Sequence, residues 1–120
     1  MRHAARDRTD AAYSLLGDAR RRYLLYQLVD AEYETIDDVV DRIVALEREV
    51  DGDLPDDHSQ RVYISLVHNH LPRLADHGVI EYDLRSGDVV MRDGFDQLEL
   101  LLEQFKETES VPAVRELSPS

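Results

Sequence analysis

The sequence predicts an α+β domain that is mostly α-helical, with three helices leading into a β-hairpin and a further amphipathic helix after it. Three observations carry that expectation. Apolar residues recur at helical intervals between Leu15 and Leu74, the pattern changes to alternation after Gly78, and helical spacing returns between Phe95 and Phe105. A chain of 120 residues has room for one modest core and no second one.

The opening residues 1–9 are polar and without periodicity, and read as a mobile arm. Asp10 is placed to cap a short helix through Ala11, Ala12, Leu15 and Leu16, which Gly17 interrupts. Asp18 offers a second N-cap, and the run ARRRYLLYQLV sets Leu24, Leu25, Leu28 and Val29 on one apolar stripe, with Tyr23 and Tyr26 at its margins. Thr35 or Asp37 can cap the next helix, in which Ile36, Val39, Val40, Ile43 and Val44 recur at three- and four-residue intervals. The β-branched spot at Thr35 and Ile36 is also suited to adding a few backbone bonds to a small sheet.

The segment DGDLPDDH stops that helix with Gly52, Pro55 and four Asp. Ser59 is the expected cap of the following helix, which reaches His77 before Gly78, a natural left-handed terminator. Its inward side is read as Tyr63, Ile64, Val67, Leu71 and Leu74, and its outward side as Arg61, Ser65, His68, Asn69, Pro72, Arg73 and Asp76. Pro72 lacks a backbone donor and crowds the preceding turn, which predicts a kink or break near His70. Val79 to Leu84 then alternate, Arg85, Ser86 and Gly87 form a turn, and Asp88 to Arg92 return as a second strand. Phe95, Leu98, Leu101, Leu102 and Phe105 make the stripe of the last helix, and residues 108–120 read as a disordered tail.

Composition narrows the chemistry. With no cysteine there is no disulfide, thiolate nucleophile or cysteine-ligated zinc. No apolar run is long enough to span a bilayer and the first residues lack the apolar run of a secretory signal, so a cytoplasmic location without membrane contact is expected. The net charge is −12, and Lys106 is the only lysine beside thirteen arginines. Abundant carboxylate with almost no lysine resembles proteins of halophilic archaea, whose molar salt shortens the Debye length to about 3 Å and screens such a surface. The charge is unevenly spread: residues 1–29 carry +3, 30–60 carry −10, 61–92 are neutral and 93–120 carry −5. A surface that meets a polyanion must therefore come from the first or third block.

Helices followed by a hairpin is the order of a winged helix-turn-helix, and particular residues carry a family likeness. GDARRRYLLYQL resembles the first helix of ArsR-like winged helices. HNHLPRLADHGVIEYD is similar to their recognition helix and first wing strand, with His70, Leu71, Leu74, Gly78, Val79 and Ile80 on the pattern. The combination also resembles winged-helix domains of unknown function from halophilic archaea, over roughly residues 10 to 95. The resemblance implies a DNA-binding transcription regulator with a recognition helix at about Ser59–His77 and a wing at about Val79–Arg92, whose partner is double-stranded DNA. It does not establish that activity, because one fold hosts many functions.

Arg61, Ser65, His68, Asn69 and Arg73 have the chemistry to read bases, since arginine favours guanine and asparagine favours adenine. Arg85 at the wing tip suits phosphate or minor groove, and Arg20 and Arg21, with Arg22, suit backbone contacts. The stripe Phe95, Leu98, Leu101, Leu102 and Phe105 either forms a homodimer face or packs on its own domain. The acidic turn Asp51–His58 is longer than an ordinary helix-turn-helix turn and would repel phosphate, which keeps open an alternative: an interaction module that binds a protein partner and no DNA. His70 matches a position that packs inside the family fold. No metal or cofactor is expected, since His68 and His70 point apart on a helix, and His70 and His77 lie two turns apart. Catalysis is not expected either, because neither a Gly-rich phosphate loop nor a His-Glu-x-x-His motif is present.

Overall fold

Two helices separated by a break at Gly17 and Asp18 open the chain in the computed structural model, which describes residues 2–109. The first, α1 (Arg2–Leu16), begins well before Asp10, so the backbone expected as an arm is helical and Asp10 lies inside the helix instead of capping it. Ala4, Ala5, Ala11 and Ala12 favour this extension, since alanine has the best intrinsic helix propensity. Gly17 and Asp18 end α1 as expected. Asp18 then caps α2 (Ala19–Leu28), its carboxylate accepting from the Arg20 N–H at 2.9 Å.

Strand β1 (Glu34–Thr35) leads directly into α3 (Ile36–Asp51), where the Thr35 hydroxyl caps by accepting from the Asp38 N–H at 3.1 Å. Between the two possible caps, Thr35 is the one used. Gly52, at φ 77°, closes α3, and the exposed turn that follows carries Asp53, Asp56 and Asp57. Helix α4 (His58–Ser65) starts one residue before the expected cap, with Asp57 at the N-cap position and Ser59 within the first turn.

The break predicted from Pro72 takes the form of a π turn. Residues Leu66–His70 are π-helical, marked by the Leu71 N–H donating to the Leu66 carbonyl, five residues back, before α5 (Leu71–Asp76) resumes the ordinary register. Gly78, at φ 70°, ends α5, and its successor Val79 donates back to Leu74 at 3.0 Å. Strands β2 (Ile80–Tyr82) and β3 (Asp88–Met91) pair antiparallel around the Arg85–Ser86–Gly87 turn, with Ile80 opposite Met91 and Tyr82 opposite Val89. β1 joins the other edge of β3, Glu34 opposite Val89, and the sheet order is β1-β3-β2. The architecture is thus α+β and mostly helical, with one small three-stranded antiparallel sheet.

After β3 a 3₁₀ turn (Asp93–Gln97) crosses under Gly78. Gly94 donates to the Gly78 carbonyl at 3.0 Å, and a Cβ at position 94 would stand 2.5 Å from that oxygen, so only glycine permits the approach. Helix α6 (Glu99–Thr108) closes the domain. Of the residues expected as a tail, Thr108 ends α6 and Glu109 is held by side chains of α2, while 110–120 lie outside the described residues.

A single core gathers Leu16 of α1, Leu24, Leu25 and Leu28 of α2, Val39 and Ile43 of α3, and Val79, Ile80 and Val89 of the hairpin. Phe95, Leu98 and Leu102 enter the same core, with Leu101 and Phe105 packed against it, so of the two roles left open for this stripe, homodimer face or packing on its own domain, the second is the one found. Tyr26 lies inside this core rather than at its margin. The inward side of α4 is also a correction: Val62 and Leu66 are fully buried, whereas Tyr63 and Ile64 are 40% and 47% exposed. The π turn holds one residue more than an α turn of 3.6, so a constant period fitted backward from Leu71 and Leu74 selects the wrong side of α4. Among the described residues, no helix is long and apolar enough to cross a membrane.

Candidate nucleic-acid interface

The outward side of α4, the π turn and α5 presents Arg61, His68, Asn69 and Arg73 to solvent, with Ser65 half-buried between them. It is exposed because the opposite side, Val62, Leu66, His70, Leu71 and Leu74, is sealed in the core. Among the described residues, none bonds to the side chains of Ser65, His68, Asn69 or Arg73, so their donors and acceptors face water. Arg61 is less free: its Nε donates to Asp57 Oδ2 at 3.0 Å, four residues back, but both side chains are mostly exposed and the pair is weak. That pair also offsets one carboxylate of the acidic turn. Arg85 is exposed at the hairpin tip, where Asp83 accepts from its backbone N–H at 2.8 Å and the guanidinium has no ion-pair partner among the described residues.

The arginine run of α2 has a different fate. Arg20 forms a two-point ion pair with Glu47 of α3, Nε to Oε2 at 2.7 Å and Nη2 to Oε1 at 3.0 Å. The His58 ring, at the first residue of α4, meets the same carboxylate at 2.7 Å. Burial by itself would raise the Glu47 carboxyl, but the hydrogen bonds from Arg20 and His58 outweigh it and hold the group below the usual carboxylate range. Arg21 is 7% exposed and each of its nitrogens is engaged: Nε by the Leu15 carbonyl at 2.7 Å, Nη2 by that of Ser14 at 3.1 Å, and Nη1 by His70 Nδ1 at 3.0 Å. Arg22 donates to the Leu16 carbonyl and to Glu109, and its guanidinium lies 4.7 Å over the Phe105 ring. Arg20 and Arg21 are therefore withdrawn from any polyanion-facing set: one is tied to Glu47 and the other is in the core.

The segment containing these elements, from α1 to β3, is what the chain shares with other proteins. A family model, described as a domain of unknown function (DUF7344), matches residues 13–90. The chain belongs to the DUF7344 family. Comparisons with curated proteins and with solved structures returned no match. The DUF7344 region takes in α2, the sheet, α3 and the whole of α4 to α5, and leaves α6 beyond its end.

Two features of this surface were not legible from periodicity. Tyr63 and Ile64 add apolar contact area beside Arg61 and His68, and the His58–Glu47–Arg20 network fixes where α4 begins. The first had a signal in Pro72, whose missing donor forces a break that shifts the phase of everything before it. The second had none, since 27 residues separate Arg20 from Glu47 in sequence.

Proposed function

We propose that this DUF7344 domain is a winged helix-turn-helix that binds double-stranded DNA as a transcription regulator, with α4 to α5 entering the major groove and the β2–β3 hairpin acting as the wing. The observation that carries this reading is the polar side of α4 to α5, where the side chains of Ser65, His68, Asn69 and Arg73 make no hydrogen bond among the described residues. Order of elements supports it: α3, a turn, α4 to α5 and a hairpin follow one another as the motif requires. Arg61 and Arg73 suit guanine and Asn69 suits adenine, while Ile64 can meet a thymine methyl. Exposed cations on this side are few, so phosphate contacts supply little and base edges must supply most of the affinity.

Duplex selection from a random library at several KCl concentrations tests the reading. An enriched sequence is expected, with a shallow salt dependence, a slope of about −1 in log K against log salt if Arg85 neutralises one phosphate while Arg61 and Arg73 read bases. Asn69→Ala combined with Arg73→Ala should weaken the selected duplex by about 100-fold, since each base contact discriminates by roughly 1–3 kcal/mol. No enrichment, or unchanged binding by that variant, removes the reading.

One observation favours a second function, docking to a protein. Tyr63 and Ile64 are exposed beside the acidic turn Asp51–Asp57, a mixture that repels phosphate and suits a basic, partly apolar partner surface. Absence of duplex enrichment together with a partner lost on Ile64→Asp would establish it.

A further inference from the structure

We propose that Arg21 and His70 are positioning residues for the α4 to α5 surface: their buried contact selects the π turn, and with it the rotation of Asn69 and Arg73 relative to Arg61 and Ser65. This rests on the reading of that surface as the DNA-facing one.

Helix register is an unusual thing for a buried polar pair to control, and the geometry shows how it does so. His70 is the last residue of the π turn and is 2% exposed, while Asn69 beside it faces solvent. Arginine has no acceptor, so the bond between Arg21 Nη1 and His70 Nδ1 requires an unprotonated Nδ1. The ring proton then sits on Nε2, which faces Asp18 Oδ1 at 3.8 Å. The ring is thereby held by a hydrogen bond at Nδ1, with the Asp18 carboxylate beyond hydrogen-bond distance on the other side.

Removing the extra residue from this turn would rotate everything on one side of it by about 100°, one residue's share of an α-helical turn. Apolar contacts resist that rotation weakly, because Tyr63 and Val67 follow the buried Val62 and Leu66 by one residue and are also hydrophobic. A guanidinium resists it strongly. Arg21 cannot shed its charge, and losing His70 would leave a buried N–H unpaired, among the costliest defects a core can hold. Polar contacts of this kind are best attested as devices that fix register. Arg21 also binds the last carbonyls of α1, at Ser14 and Leu15, so the π turn is referred to the α1–α2 corner and not to α3 alone.

The test uses the full chain and three variants. His70→Asn keeps an acceptor close to the Nδ1 position, His70→Gln moves it one bond outward, and Arg21→Met with His70→Leu replaces the pair by apolar groups of similar size. Thermal melts confirm folding. Amide exchange of Leu66–Leu71 in the free protein reports the turn, and the affinity ratio between selected and scrambled duplexes reports the surface. For the double variant, amide exchange should rise by about tenfold or more. Its duplex discrimination should fall by about tenfold or more, while affinity for scrambled duplex stays within about twofold. His70→Asn should keep both readouts near wild type. A folded double variant with wild-type exchange and discrimination overturns the proposal. If the double variant does not fold, His70→Asn and His70→Gln decide: equal behaviour overturns it, and loss in Gln alone upholds it. If the wild-type chain discriminates no duplex, the DNA reading fails separately, and the amide exchange still decides whether the pair sets the turn.

Discussion

Arg20, Arg21 and Arg22 on α2 and Arg61, Arg73 and Arg85 on α4, α5 and the hairpin tip are the same side chain in opposite states. The first three are adjacent in sequence, and each is consumed inside the fold: by Glu47, by His70 with two carbonyls, and by Glu109 with Phe105. The second three are scattered over the neutral block of the sequence, and their guanidinium groups lie exposed on one side of the helix or at the hairpin tip. A run of arginines is therefore no guide to a basic surface. Consecutive residues on a helix point about 100° apart, so three in a row reach three different neighbours.

The largest effect separating the two groups is expected at Arg21. Arg21→Ala strands His70 Nδ1 and the Leu15 carbonyl in the core, and should cost about 3 kcal/mol or more in denaturant unfolding. Arg73→Ala should cost less than about 0.5 kcal/mol in the same measurement. Equal losses would erase the distinction.

Glu109→Ala comes next. It removes the acceptor shared by Arg22 at 2.6 Å and Tyr26 at 2.6 Å, and should lower stability by about 1.5–3 kcal/mol. Tyr26 reports the same contact spectroscopically. Burial first, and then its bond to the Glu109 carboxylate, push the phenol far above its ordinary value, so the wild-type ring should resist ionisation in alkaline titration while the Glu109→Ala protein yields earlier. Gly94→Ala should destabilise by a comparable amount, because its Cβ meets the Gly78 carbonyl rather than a movable side chain.

The smallest effect is a pH slope. Burial lowers the His70 pKa, with the nearby Arg21, Arg20 and Arg73 adding to it and Asp18 opposing. The unfolded chain then takes up a proton that the folded one refuses. Stability from this group is complete above the ordinary histidine value of about 6.5 and is lost as pH falls below it. His70→Asn should flatten that portion of the stability profile, and an unchanged slope would assign it elsewhere.

Much of the fold was readable before any coordinates. Asp18 and Thr35 as caps, Gly78 as a terminator, the hairpin around Gly87 and the break imposed by Pro72 all follow from local chemistry, and all are found. The site was readable in part. Asn69, His68 and Arg73 face outward as their polarity suggests, whereas Tyr63 and Ile64 do so against theirs. The start of α1 was missed because helix propensity without an apolar stripe leaves no periodic signal.

Local chemistry in the chain sets where most elements start and stop, and that the chain is α+β, because caps, glycines and periodicity act over a few residues. Only the tertiary structure decided which arginines are free, which side of α4 is inward, and that the α6 stripe packs on its own core. Those outcomes depend on partners far apart in the chain, such as Arg20 with Glu47 and Arg21 with His70, and a pairing across that distance leaves no trace in local spacing.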